Sequence, residues 1–235
     1  MWKWASLASL LCAGAIAAVA ATVGRSADPT EAGRPPDSAF EARVDNPWFP
    51  LRPGSRYLYR GVKDGRRSRD VVTVTHRTKV IDGVPCVVVE DRLYVRGALS
   101  ERTTDWYSQD AQGNVWYLGE DTAEIDRAGK VTSTEGSWQA GVDGAVPGIV
   151  MPARPRVGQS GRQEYYKGHA EDRYRVLAIF RQLTGARAAN ALLTAETTPL
   201  EPGVVDHKLY VRGIGIVLEQ AERGGNERNE LVSLR

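Results

Sequence analysis

Six side chains in this sequence have the chemistry of a reaction centre: His76, Asp91, Glu164, His169, Asp172 and His207. Carboxylates paired at a suitable separation do general acid and base work, and a histidine beside acids binds zinc or activates water. The set His76, Asp91, His169, Glu171 and His207 would be the ligands of a divalent metal. A metal needs three or four converging donors, whereas the run His169-Ala170-Glu171-Asp172 offers at most two on one strand face. No Gly-x-Ser-x-Gly, His-Glu-x-x-His or phosphate-loop pattern accompanies these residues, so no cofactor is expected and hydrolysis is the alternative reading.

A second group is aromatic. The stretch Asp105 to Glu120, DWYSQDAQGNVWYLGE, holds Trp106, Tyr107, Trp116 and Tyr117 on two runs joined by Asp110-Ala111-Gln112-Gly113, a hairpin signal. Pairing Gln109 with Asn114 sets Trp106 against Tyr117 and Tyr107 against Trp116, one aromatic pair on each face. On that register Glu120, Asp105 and Thr103 share the Tyr107 and Trp116 face, so carboxylates and ring surface lie together.

The elements that must position these groups are strands. Asp82-Gly83 joins Arg69–Ile81 to Val84–Arg96 in a two-residue hairpin, pairing Ile81 with Val84 and bringing His76 and Asp91 to diagonal positions on an apolar face. Lys130 to Trp138 alternates as a further strand. Arg162 to Phe180 alternates for longer, with Glu164 and Asp172 on its apolar face and His169 on its polar one. Gln139 to Gly161 is dense in Gly and Pro and predicts a flap that covers the aromatic face with Ile149, Val150 and Met151. Gln182 to Ala195 suits a short helix or a strand; Val204–Arg212, Ile216–Ala221 and Asn226–Leu234 close the sheet. VVDHKLYVRG (Val204 to Gly213) echoes VVEDRLYVRG (Val88 to Gly97), which sets His207 at the position of Asp91. Asn46 to Gly61, with its prolines, predicts a clasp packed down by Trp48, Phe49 and Leu51. The fold class is therefore all-β: a strongly curved antiparallel sheet or open barrel of about ten strands with one flap and little helix.

Composition bounds the partners. Net charge is +2 with acids and bases interspersed, which excludes the basic stripe that nucleic acid requires. Residues 1–23 pair one lysine with an uncharged run to Val23 and a small-x-small site at Ala18-Val19-Ala20, the pattern of a secretory signal. Uncleaved, the same run is long enough to anchor the chain in a bilayer, the one route to membrane contact. Residues 24–45 read as a flexible linker and 46–235 as one all-β domain outside the cytoplasm, its oligomeric state open. Of two cysteines only Cys86 falls in that domain, as a buried thiol or an intermolecular disulfide.

NPWFPLRPG, DWYSQDAQGNVWYLGE, STEGSWQAGVDGAVPGIVMP, RQEYYKGHAED and TTPLEPGVVDHKLYVRGIGIVLE resemble the blocks of an uncharacterised family of secreted bacterial, mainly actinobacterial, all-β proteins. YVRGIGIV more faintly resembles the last strands of envelope half-barrel lipid and lipoprotein carriers. The first likeness implies export and carries no activity with it; a strongly curved sheet can hold a small ligand on its concave face.

Together these point to a non-enzymatic extracytoplasmic binding module for a small apolar or amphipathic ligand or an envelope component. Trp106, Tyr107, Trp116, Tyr117 and Trp138 would supply ring surface, and Glu120, Glu164 and Asp172 orienting acids. The alternatives are the metal-dependent or acid/base hydrolase above and a structural envelope protein whose aromatics form an interface.

Overall fold

The computed structural model describes residues 39–184 and 187–235. The expected signal or anchor lies outside the described residues, as does the linker up to residue 38. The linker's last residues are docked: Phe40 and Val44 are buried, and Phe40 meets Trp116 edge-on at 5.8 Å.

Sixteen strands are described. The first eight are β1 (Phe40–Glu41), β2 (Arg56–Lys63), β3 (Arg66–Ile81), β4 (Val84–Val95), β5 (Ala98–Asp110), β6 (Val115–Ile125), β7 (Val131–Ser133) and β8 (Trp138–Gln139). The rest are β9 (Val146–Met151), β10 (Ser160–Arg162), β11 (Glu164–Tyr165), β12 (Arg173–Thr184), β13 (Arg187–Thr197), β14 (Val205–Val211), β15 (Gly215–Arg223) and β16 (Arg228–Leu234). Their antiparallel pairing runs β10-β12-β13-β14-β15-β16-β2-β3-β4-β5-β6-β9-β11, with β1 on β5 and β7 and β8 on β6. The two ends of this path, β10 and β11, are separated in the chain by Gln163 alone. The sheet therefore curls until its ends meet at one residue, a nearly closed barrel. Its seam is tight: a Cβ on Gly148 would lie 2.5 Å from the Arg162 carbonyl, and Gln163 N–H donates to Asp172 O at 2.8 Å.

Local sequence explains the hairpins. Asp64-Gly65, Asp82-Gly83 and Arg96-Gly97 each place two successive residues at positive φ, the geometry of two-residue turns that match strand twist. Ile81 pairs with Val84 across the second of these, as the sequence predicts. The all-β class holds, but with sixteen strands rather than about ten, because several long runs are broken. Arg162–Phe180 becomes β10, β11 and β12, interrupted at Tyr166–Ala170 where Gly168 takes φ 78°. Lys130–Trp138 splits into β7 and β8, and Gln182–Ala195 joins β12 to β13.

The middle of the expected flap, Gln139 to Gly161, is sheet. Val146–Met151 is β9, paired with β6 through Met151–Val115, Ile149–Trp116 and Gly148–Tyr117. From Pro147 to Met151 it is buried as part of the wall, while Val146 is exposed. The clasp does cover something. Asn46 Nδ2 donates to Gly113 O (2.9 Å) and Pro152 O (3.2 Å), and Gly213 N–H donates to Pro47 O (2.6 Å). These bonds tie Asn46–Leu51 across the barrel end that carries the β5–β6 and β14–β15 turns. The opposite end, with the β4–β5 and β13–β14 connections, has no such cover among the described residues.

Candidate functional site

Two shifts of register decide which of these side chains enter the barrel. In β3, Val74 pairs with Val89 and Thr78 with Val87, so three residues bulge opposite Val88 and carry His76 outward to an exposed position near Gly54. Asp91 instead pairs with Val72 and is 7% exposed, so the expected diagonal pair of His76 and Asp91 does not form. In β6, Tyr107 pairs with Tyr117, Ser108 with Trp116 and Trp106 with Gly119, with Leu118 the extra residue. That corrects the expected pairing of Trp106 with Tyr117 and Tyr107 with Trp116. Strand alternation then puts Asp105, Tyr107, Tyr117 and Glu120 inside and Trp106 and Trp116 on the outer face. There Lys79 sits 3.4 Å over the Trp106 ring, and Trp116 Nε1–H donates to Asp110 Oδ2 at 2.8 Å.

Inside, rings form a continuous series. Tyr210 and Phe49 lie 6.5 Å apart, Phe49 meets Tyr107 at 5.4 Å, Tyr107 stacks on Tyr117 at 4.8 Å, and Tyr117 meets Trp138 edge-on at 5.5 Å. Glu120 and Glu164 are buried beside this series. Burial raises the Tyr107 and Tyr117 hydroxyls well above the ordinary phenol value, and the charges of Asp105 and Glu120 add to it, so both stay neutral donors. Tyr117 Oη donates to Asp105 Oδ1 at 2.6 Å.

Under the clasp this interior encloses a cavity of about 80 Å³. Phe49, Tyr57, Tyr59, Tyr107 and Tyr210 give it ring surface; Val72, Val89 and Val150 complete the apolar wall. Three residues of its lining each carry a buried polar atom with no hydrogen-bonding partner in the protein: Gln163 Oε1, Asn229 Nδ2 and Asp91 Oδ1. Gln163 is 1% exposed and Asn229 2%. Asn229 is oriented by Ser68, whose Oγ donates to its Oδ1 at 3.3 Å, which leaves the amide hydrogens unused. An unmet buried polar group costs about 1–3 kcal/mol, so three in one apolar chamber are an unusual expense unless something bound there meets them.

Beside the chamber lie two neighbouring buried carboxyls, Asp70 and Asp91. Burial pushes Asp91 up to about 7 and, with the charge of Asp91 adding to it, raises Asp70 well above the carboxylate range. Among the described residues Lys208 is the buried cation. Its Nζ lies 2.7 Å from Glu196 Oε2 and 3.3 Å from Glu219 Oε1. Burial works against the ammonium, but the two carboxylates outweigh it and hold its pKa well above the usual lysine value.

Lys208 and Glu219 also form the wall of a second chamber, about 320 Å³, at the uncovered end. Its rim is acidic. Glu101, Glu124 and Glu135 stand on one side, Asp172, Glu201 and Asp206 on the other, with His169 the one histidine in its lining. Burial, followed by the charge of Glu219, pushes Asp206 up to about 7.

The remaining candidates scatter. Asp172 is at the acidic rim, while Trp138, Tyr107, Tyr117, Glu120 and Glu164 come together inside. His169 is exposed, stacked on Tyr166 at 4.5 Å with Nδ1 2.9 Å from Glu135 Oε1, and Glu171 Oε1 accepts the Gly168 N–H. His207 does not repeat Asp91: on β14 the inward positions are Asp206, Lys208 and Tyr210, and His207 lies 3.7 Å from Glu222 outside. Among the described residues no three His, Cys, Asp or Glu side chains are placed to hold a metal, so His76, Asp91, His169, Glu171 and His207 do not form one centre. Cys86 is fully buried, and burial pushes its thiol up to about 12, which suits an inert packing residue rather than a disulfide partner. Sequence reasoning missed Asp70, Gln163, Glu196, Lys208, Glu219 and Asn229. Only Lys208 had a visible signal, a lysine between Asp206 and Tyr210 on one alternating face.

No protein-family model and no curated protein matches the chain. Two solved structures are similar to it. One is a predicted exported protein with YmcC-like fold from Bacteroides fragilis, 15% identical with a TM-score of 0.46, over 80% of this chain and 98% of that one. The other is a predicted lipoprotein from Parabacteroides distasonis, 10% identical with a TM-score of 0.42, over 80% and 98%. At these identities neither likeness extends to a function.

Proposed function

We propose that the chain is a non-enzymatic binding module, exported through its N-terminal segment, that holds a small amphipathic ligand inside the barrel. The observation that carries this reading is the clasp-covered, aromatic-lined chamber with three unsatisfied polar atoms of Gln163, Asn229 and Asp91 in its lining. Apolar walls with a few converging polar groups are the general form of a small-molecule site: the walls supply affinity and the polar atoms fix orientation. Size limits the buried part. An apolar cavity of about 150 Å³ holds benzene, so a chamber of about 80 Å³ suits a short aliphatic group. Lys208 and Glu219 line both this chamber and the larger acidic one.

Linear alcohols from ethanol to hexanol, titrated into the full chain and followed by NMR, test the reading. Affinity should rise with chain length to about four carbons and then level, since each buried methylene contributes about 0.8 kcal/mol. Val89→Phe, which fills the chamber, should abolish binding with the fold intact. Binding that is absent, or unchanged in Val89→Phe, would contradict the reading.

A further inference from the structure

We infer that the ligand of the inner chamber is a cation, an aliphatic ammonium whose charged end is held by Asp91 and Gln163 against the tyrosine rings. The inference rests on the proposed binding role and goes beyond it by naming the charge and class of the ligand.

The unsatisfied groups point this way. Asp91 Oδ1 and Gln163 Oε1 are acceptors, both more than nine-tenths buried, and an ammonium is a compact group with several donors and no acceptor. Among the residues that line the chamber, Asn229 Nδ2 is the single unmet donor and suits a neutral oxygen elsewhere on the ligand. The ring surface agrees. Tyr57, Tyr59, Tyr107 and Tyr210 line one small space, and ring faces beside carboxylates are the environment in which buried ammonium groups are held by cation–π attraction.

Charge supplies an independent argument. The chamber's lining holds Asp91, Asp105 and Glu219 against one cation, Lys208, and Lys208 is already shared between Glu196 and Glu219. A fatty-acid carboxylate would enter a space with an acidic surplus and no uncommitted cation in its lining. An ammonium reduces that surplus. The open end repeats the bias, since its rim is lined by acids and the clasp closes the other end. An acidic mouth with low-dielectric walls concentrates cations ahead of the inner chamber and repels anions.

The test compares three probes of one shape: n-butylamine hydrochloride, n-butanol and sodium butyrate, titrated by NMR into the full chain purified from an exporting host, at about pH 8 and low salt. Butylammonium should bind at least about tenfold tighter than butanol, a difference of about 1.4 kcal/mol, and butyrate should not bind. Asp91→Asn keeps the side chain's shape; it should bring the amine to within about threefold of butanol and leave butanol unchanged. Gln163→Met should weaken the amine in the same direction, which keeps the test decisive where Asp91→Asn misfolds. Butanol or butyrate binding as tightly as the amine, or amine binding indifferent to both substitutions, would overturn the cation while leaving the binding chamber intact. Failure of all three probes would overturn both.

Discussion

Asp91 and Lys208 show how differently two buried charges are handled in one barrel. Asp91 has another carboxyl as its neighbour, and burial pushes it up to about 7. The folded chain then holds a proton that the unfolded chain, with aspartate near 3.9, has released, so stability falls as pH rises from about 4 toward 7, by about 1.4 kcal/mol per pH unit for one carboxyl. Asp91→Asn removes that loss. Urea unfolding should show the variant with a flatter profile over this window and greater stability than the parent at about pH 8; parallel profiles would refute the assignment. Lys208 is the reverse, a cation gripped by Glu196 and Glu219. Lys208→Met leaves two carboxylates facing each other and should cost about 3–5 kcal/mol at neutral pH, the range for breaking a buried ion pair. Because burial raises Glu219, part of this loss should return as pH falls and the acids take up protons. A melting temperature unchanged by Lys208→Met would show the cluster to be unimportant to the fold. Neither environment could be read from sequence. Asp91 stood out as a charge in an apolar run, but its neighbour Asp70 is twenty-one positions away, and only the β3–β4 register brings the two together.

At the level of elements, the turns were legible and the bulges were not. Asp82-Gly83 announces its hairpin because two successive positive-φ residues are what a tight turn of this hand needs. A bulge inserts residues into an alternating pattern without a composition signal of its own, and it flips every side chain beyond it. Three residues in β3 and one in β6 account for the main errors: His76 leaves the interior, and Trp116 exchanges places with Tyr117. Gly119 is the residue that permits the second. It takes φ 139°, and a Cβ there would stand 2.3 Å from the Trp138 carbonyl oxygen. Gly119→Ala should therefore destabilise the protein by about 2 kcal/mol or more through strain and the forced separation of β6 from β8. Gly129→Ala, at a turn where φ is 81° and no atom lies within 4 Å, is the control and should cost less. Equal losses would mean that conformation alone, and not the close approach, makes Gly119 necessary. The flap was misread for a related reason: Pro147 and Gly148 look like loop residues, yet Gly148 is what lets β9 pass within contact of the seam.

The whole molecule is a barrel with unlike ends. A clasp built from Asn46–Leu51 closes one, a ring of acids marks the other, and an aromatic interior with unmet polar atoms lies between. The all-β architecture and the gathering of aromatic and acidic side chains were readable from alternation, because inward positions recur every second residue. The closure was not, since it depends on a three-residue strand and a two-residue strand meeting around Gln163, too short to leave a pattern. That closure is what turns a curved sheet into a container, and it gives Gln163 its place in the chamber. The central claim is that the container holds a small organic ligand, and native mass spectrometry of the full chain from an exporting host tests it most directly. The parent chain should carry a single retained organic mass that is lost on solvent extraction and absent from Val89→Phe prepared in parallel. Bare protein from both preparations, or the same adduct on both, would contradict it.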